Sequence, residues 1–276
     1  MNTFEALIMG LVQGLTEFLP ISSSGHLVIF GQILNINISD GNAFSVLLHL
    51  ATFISVCIVY YKDVIELVKE FFLMIADIFR GKFNLDRPYR RMLVMLIIAT
   101  IPAVVVGFLF KLLDLDSVLS SLMTVSIMLL FTSALMYAVD KFNDNNFDAS
   151  NAKFKSAFYV GIAQACALMP GLSRSGSTIT AARALGYKKE FAIKFSFLMS
   201  LPAIIGAAVL EGADLIMSGG FSVELMPLVV GFLAAAISGV LAIKFLINLL
   251  NKNKFYIFSI YCAIVGIIGI LYTVIK

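Results

Sequence analysis

The sequence predicts an all-α integral membrane protein built as an inverted-topology repeat, with six transmembrane helices and two re-entrant helix-loop-helix segments. Three observations carry this prediction: the composition, six long apolar runs, and two shorter apolar segments that match each other. Of the 276 residues, 60% are hydrophobic and 13% are charged, and the mean hydropathy is +0.98. Soluble domains have about 45–50% apolar and about 25% charged residues. This composition therefore excludes a soluble globular domain.

Six apolar runs are long enough to cross the membrane. A bilayer core of about 30 Å needs about 20 helical residues. The runs cover residues 44–61, 92–110, 117–139, 190–210, 223–247 and 255–275.

The basic residues between the runs orient them, because cytoplasmic loops collect Lys and Arg. The first connection holds Lys62, Lys69, Arg80, Lys82, Arg87, Arg90 and Arg91. Its stretch 63–80 is predicted to be an amphipathic helix on the membrane surface. The following connections alternate between few and several basic residues, so both termini are predicted to lie outside. The net charge of +3 is thus a topology signal, and no concentrated basic domain indicates nucleic-acid binding.

Two apolar segments are too short to span. Residues 4–19 and 156–169 run directly into "FLPISSSGHL" and "MPGLSRSGST". Segments of this length suit a re-entrant helix better than a span. Loop backbone at membrane depth is tolerated only where protein or a wet cavity surrounds it. Both polar stretches are therefore predicted to line one cavity.

An internal repeat relates these segments. A shift of 151 residues aligns Ala6, Gly10, Gln13, Ser22, Ser24, Gly25 and Phe44 with Ala157, Gly161, Gln164, Ser173, Ser175, Gly176 and Phe195. The repeats are 1–150 and 151–276, together one membrane domain. Each holds three spans, an odd number, so the second copy is predicted to be inverted, with a site near the midplane at the repeat interface.

The two copies differ in their reactive side chains. At the shared offset Glu17 stands opposite Leu168, Ser23 opposite Arg174, and His26 opposite Ser177. A guanidinium and the N-terminus of a helix both suit phosphate oxygens. A carboxylate beside such an anion site indicates a cation or a proton between them, and Mg²⁺ or Ca²⁺ held by one carboxylate and substrate phosphates is a common arrangement.

These motifs resemble a known family. "QGLTEFLPISSSGH" (13–26) and "PGLSRSGST" (170–178) are similar to the two motifs of the undecaprenyl-diphosphatase family linked to bacitracin resistance. The resemblance covers the whole chain in length, span number and motif positions. It implies dephosphorylation of undecaprenyl diphosphate, a C55 polyprenyl lipid, to the monophosphate used in cell-wall synthesis, with a divalent cation. It also implies a bacterial plasma membrane, an active site open to the outer face, and a homodimer as one assembly.

The resemblance assigns roles to individual residues. Glu17 becomes the catalytic carboxylate and metal ligand, and Arg174 the diphosphate clamp. Gln13 stands where some members have a glutamate, so it is expected to position metal-bound water or substrate. The expected substrate-binding residues are Gln13, Ser22, Ser24, Gly171, Ser173, Ser175 and Thr178. Three nucleophiles remain open: His26, Ser23 activated by His26, and metal-bound water with His26 as the acid. We rank the pair of Ser23 and His26 first.

Structural roles are the alternatives to these catalytic and binding roles. The serines at 22–24 could cap a helix, and Glu17 with Arg174 could form a structural ion pair. His49 is expected to satisfy a neighbouring carbonyl. Inverted repeats with broken helices also build transporters. A secondary transporter or flippase for a lipid phosphate or anion, without hydrolysis, is therefore the alternative function.

Overall fold

The computed structural model describes residues 1–34, 43–113, 115, 119–142, 146–217, 225–250 and 254–275. Over these ranges the chain forms eleven α-helices, and the only β-pairing there is an isolated bridge between Phe147 and Tyr187. The helices are α1 (Thr3–Phe18), α2 (Ser23–Leu34), α3 (Ala43–Val59), α4 (Tyr61–Phe79), α5 (Pro88–Leu112), α6 (Leu122–Val139), α7 (Phe154–Cys166), α8 (Arg174–Ala184), α9 (Lys189–Met217), α10 (Leu225–Leu250) and α11 (Tyr256–Ile275).

Within the described ranges, five helices are long and apolar enough to cross a membrane, so the chain is a multi-pass membrane protein. They are Pro88–Leu112, Leu122–Val139, Lys189–Val209, Leu225–Leu249 and Tyr256–Ile275. Each overlaps a predicted span. The first residues of the predicted spans 117–139 and 223–247 lie outside the described residues.

The remaining predicted span, 44–61, corresponds to α3, which begins one residue earlier and ends two residues earlier, at Val59. Helix α3 has 17 residues and qualifies as a span only together with α4, from which it is bent by 94°. The count of six therefore holds only if this bent pair is one span. Without α4, α3 is about 26 Å long at 1.5 Å per residue, somewhat less than the bilayer core.

Helix α4 corresponds to the predicted amphipathic helix at 63–80. It runs nearly at right angles to α3, and its exposed side chains include Phe72 and Phe79. Arg90 of α5 is buried and donates to Glu70 at 3.0 Å and to Asp77 at 2.7 Å, both on α4. These two ion pairs fix α4 against the start of α5. A helix held across the span direction suits the predicted position at the membrane surface.

Two pairs of short helices are interrupted where the sequence predicted a break. Helix α1 ends at Phe18, just before Pro20, and α7 ends at Cys166, just before Pro170 and Gly171. Proline lacks the N–H that would continue the helix. Gly171 has φ +94°, and a Cβ there would overlap the carbonyl oxygen of Val125. Only glycine satisfies both conditions.

Small residues bring these short helices against long helices of the other half of the chain. Helix α1 packs on α10, where a Cβ on Gly10 would overlap the carbonyl oxygen of Gly231. Helix α7 packs on α5, where a Cβ on Gly161 would overlap the carbonyl oxygen of Ala99. Each half of the chain thus supports the interrupted segment of the other.

We expect Gly161→Val to destabilise the fold. The added side chain has no space beside Ala99, and overpacking of this kind costs about 1–3 kcal/mol or more. Gly206→Ala is the control, because a Cβ there meets nothing within 4 Å. Thermal unfolding of detergent-solubilised protein, followed by circular dichroism, should show a lower Tm for Gly161→Val alone. Equal Tm values for the two variants would contradict this packing.

Candidate active site

The two interrupted segments meet in space at the starts of α2 and α8. Ser24 Oγ accepts a hydrogen bond from the Gly171 backbone N–H at 3.4 Å. In return, Ser175 Oγ donates to the Leu19 carbonyl at 3.3 Å. The two loops therefore bind each other directly, and the two helix N-termini lie close to the same place.

Serines cap both helices in the same way. Ser22 Oγ accepts from Gly25 N at 3.3 Å, and Ser173 Oγ accepts from Gly176 N at 3.1 Å. Both serines are buried, and Ser22 has φ +73°, a conformation that non-glycine residues rarely adopt. The capping explanation thus applies to Ser22 and its repeat partner Ser173. Ser24, by contrast, is exposed.

The Glu17 carboxylate is the centre of the polar contacts. It accepts from Arg174 Nη2 at 2.8 Å, from Ser23 Oγ at 2.6 Å, and from Gln13 Nε2 at 3.1 Å. Gln13 and Glu17 are four residues apart and share one face of α1. The Glu17 side chain is 8% exposed and that of Arg174 is 18% exposed. A hydroxyl hydrogen-bonded to a buried carboxylate, next to a guanidinium, is suited to nucleophilic attack on an anionic substrate.

His26 lies beside this centre and has other partners. Its Nδ1 donates to the Ser22 carbonyl at 2.7 Å, and its Nε2 accepts from the Tyr261 hydroxyl at 2.7 Å. A carbonyl oxygen only accepts, so Nδ1 carries the proton, and Nε2 of the neutral ring is then the acceptor. The two rings are stacked, with centroids 5.6 Å apart. Ser23 therefore pairs with Glu17 in this structure, and both ring nitrogens of the expected partner His26 are engaged elsewhere.

The second motif is braced by buried hydroxyls. Thr178 Oγ1 donates to the Arg174 carbonyl at 2.8 Å and is hydrogen-bonded to Ser196 Oγ at 2.6 Å. Arg174 Nη1 donates to the Ser196 carbonyl at 3.2 Å. Thr178, Ser173 and Ser175 are each at most 1% exposed. Of the expected phosphate contacts in this motif, only the Arg174 guanidinium reaches a partly open surface.

Comparison with known proteins now identifies the family. A family model described as "Bacitracin resistance protein BacA" matches residues 6–268.

This chain belongs to the BacA family.

Curated relatives cover it from end to end. It is 43% identical to an undecaprenyl-diphosphatase of Alkaliphilus metalliredigens over 99% of both chains. It is 43% identical to one of Methanobrevibacter smithii, over 97% of this chain and 96% of the relative. It is 41% identical to one of Bacteroides fragilis, over 98% of both.

Four residues at this candidate site were not predicted as part of it. Thr132 Oγ1 holds the second loop, donating to Gly171 O at 3.1 Å and accepting from Ser173 N at 2.9 Å. Ser196 carried a usable signal, since it repeats Ser45 at the shift of 151. Thr132 and Tyr261 lie in apolar runs without any such signal. The fourth, His49, was expected to satisfy a carbonyl; the contact that its ring makes among the described residues is with the Gln13 side chain, at 3.2 Å.

Among the described residues, no group of three or more His, Cys, Asp or Glu side chains is placed to hold a metal ion. Glu17 can accept one further contact, because a carboxylate offers about four lone-pair sites and it accepts three hydrogen bonds from the protein. Gln13 Oε1 is buried and has no hydrogen-bond partner in the described part of the chain. One carboxylate and one unpartnered amide oxygen fit a cation whose other ligands come from substrate phosphates.

Proposed function

We propose that this chain is an undecaprenyl-diphosphatase. It removes the terminal phosphate of undecaprenyl diphosphate and so returns undecaprenyl phosphate to cell-wall synthesis, which confers bacitracin resistance. Full-length relatives of that name, at about 40% identity, support this function. The observation that carries it at the residue level is the Glu17 carboxylate shared between Arg174 and Ser23.

Substrate binding depends on the charge of the two motifs. Arg174 presents planar donors that suit phosphate oxygens, and the partly positive N-termini of α2 and α8 add to its field. Ser24, which is exposed between them, offers a further contact. When substrate binds, Arg174 donates to the diphosphate in place of part of its hydrogen bonding to Glu17. The prenyl tail lies in the hydrocarbon between the repeats.

Ser23 is the nucleophile in this proposal and Glu17 is its base. The Ser23 hydroxyl already donates to Glu17 Oε2, so the carboxylate takes the proton as Oγ attacks the terminal phosphorus. The bond from that phosphorus to the bridging oxygen breaks, and undecaprenyl phosphate leaves with the bond electrons. Glu17 passes this proton to the departing undecaprenyl phosphate. Water then attacks the phosphoserine and gives a proton to Glu17, which returns it to Ser23 Oγ as the Oγ–P bond breaks and inorganic phosphate leaves. His26 and Tyr261 hold the Ser22 turn that aims Ser23.

A divalent cation, Mg²⁺ or Ca²⁺, completes the proposed site. Glu17 would hold it together with the substrate phosphates, and it would supply positive charge against the phosphate oxygens. We expect a chelator to abolish phosphate release and added Mg²⁺ or Ca²⁺ to restore it. Unchanged release after exhaustive chelation would remove the cation from the proposal while leaving Arg174 as the source of positive charge.

We also propose that α1–α2 and α7–α8 are re-entrant segments of an inverted repeat. Three features support this symmetry: the matching serine caps, the reciprocal hydrogen bonds between the loops, and the packing of each short helix on a long helix of the other half, α1 on α10 and α7 on α5. With the predicted topology, the site opens to the outer face of a bacterial plasma membrane. A homodimer remains part of the proposal through the resemblance alone.

Phosphate release from a C55 prenyl diphosphate by detergent-purified protein tests the function. Release in detergent, without sealed compartments, is expected for a phosphatase. A transporter or flippase needs two compartments to show activity. A folded sample that releases no phosphate under any cation condition would therefore overturn the proposed function in favour of the transporter.

A further inference from the structure

The Gln13 side chain makes two contacts through one atom. Gln13 Nε2 lies 3.1 Å from Glu17 Oε2 and 3.2 Å from His49 Nδ1. An ionised carboxylate only accepts hydrogen bonds, so the amide atom facing Glu17 must be the nitrogen. The same nitrogen faces His49 and has only donors to offer. His49 Nδ1 must therefore accept, which requires a neutral imidazole with its proton on Nε2.

The oxygen of the same amide lacks a hydrogen-bond partner among the described residues. Gln13 is 0% exposed, so this oxygen, Oε1, is also buried. A buried carbonyl oxygen without a partner costs about 1–3 kcal/mol. Such an atom at the edge of the Glu17 site indicates that a donor arrives with the ligand or its water.

We infer that His49 is a positioning residue of this site, acting through Gln13. This inference rests on the proposed function and deepens it. By accepting one amide proton while Glu17 accepts the other, His49 acts with Glu17 to hold the Gln13 amide in one position. Glu17 keeps a donor, and Oε1 stays without a partner among the described residues, so it can accept from a ligand or its water. His49 itself touches no substrate.

The need for His49 follows from the alternatives open to the amide. If the amide turned over, Oε1 would face the Glu17 carboxylate, and two acceptors would repel each other. If His49 offered no acceptor, one buried N–H of Gln13 would lose its partner and the side chain would shift. Since His49 lies on α3, it also couples the position of that helix to the carboxylate on α1.

The tautomer provides the first test, because the chain has only two histidines. Spectra of ¹⁵N-histidine-labelled protein in detergent should show one ring protonated at Nδ1, from His26, and one protonated at Nε2, from His49. The spectrum of His49→Asn assigns the signals. A cationic His49, or a His49 protonated at Nδ1, would overturn the inference. Because no substrate is present, this result is independent of whether the protein is a phosphatase.

Two variants provide the second test. Asparagine can place an oxygen near the position of His49 Nδ1, whereas leucine fills similar space without an acceptor. We expect His49→Leu to lower kcat/KM for C55 prenyl diphosphate by on the order of 10- to 100-fold. His49→Asn should stay within about threefold of the unmodified protein. Elution profiles and Tm values identify any loss due to unfolding.

The outcomes separate the two proposals. Equal activities of folded His49→Asn and His49→Leu would overturn the positioning role. No phosphate release by the unmodified protein would instead overturn the phosphatase function, and the tautomer result would stand unaffected.

Discussion

Arg174→Ala should lower phosphate release by at least about 1,000-fold, the range seen when an arginine that stabilises a phosphoryl-transfer transition state is removed. Phosphoryl transfer depends mainly on positioning and charge stabilisation. Arg174 is the one cation in contact with Glu17 among the described residues, at 2.8 Å. The effect should be measured as kcat/KM with the C55 diphosphate.

Three variants control this experiment. Arg174→Lys keeps the charge without the planar fork of donors, so its activity should fall between that of the unmodified protein and that of Arg174→Ala. Arg80→Ala removes an exposed arginine at the end of α4 and should leave release unchanged. Arg174→Ala also leaves Glu17 unpaired, which costs about 3–5 kcal/mol for a buried pair, so Glu17→Gln combined with Arg174→Ala serves as a stability check. Near-normal phosphate release by a folded Arg174→Ala protein would contradict the proposed role of Arg174 in binding the diphosphate.

Ser23→Ala should abolish turnover, with a loss of at least about 10⁴-fold by comparison with other enzymes that lose their nucleophile. The reason is that Ser23 Oγ is the hydroxyl in contact with the Glu17 carboxylate, at 2.6 Å. The adjacent serines are matched controls. Ser24→Ala should cost only a few-fold in KM, because Ser24 contacts the Gly171 N–H. Ser22→Ala should mainly lower stability, by about 0.5–2 kcal/mol, through loss of the helix cap.

Activity of Ser23→Ala equal to that of Ser24→Ala would show that another group attacks the phosphorus. His26→Gln separates the roles further. It should reduce turnover less than Ser23→Ala does, because His26 acts on the Ser22 turn.

Much of the fold could be predicted from hydropathy and from the internal match. The five long spans follow from apolar length, and the breaks at Pro20 and at Pro170–Gly171 follow from the backbone limits of those residues. The end of α3 at Val59 and the bend into α4 could not be read in this way, because Tyr60 and Tyr61 extend the apolar run across the bend. Hydropathy records what a segment buries and not where it turns.

The site was predicted in part. Glu17 and Arg174 stood out because unpartnered charges are costly in a membrane, and the structure places them in contact. The partner of Ser23 could not be predicted, because Ser22 just before it has φ +73°, a backbone conformation that spacing along the chain does not reveal. Tyr261 lies 235 residues from His26 in an apolar run. Local spacing carries no information on such a contact.

The measurement that tests this mechanism most directly is the site of the phosphoryl group during turnover. Protein mixed with C55 diphosphate labelled in its terminal phosphate should be quenched within one turnover, under acid and under alkali, and its peptides mapped. The mechanism predicts label on Ser23 after the acid quench and none in Ser23→Ala. Label on His26, seen only after the alkaline quench, or full turnover with no labelled peptide in either quench would contradict it.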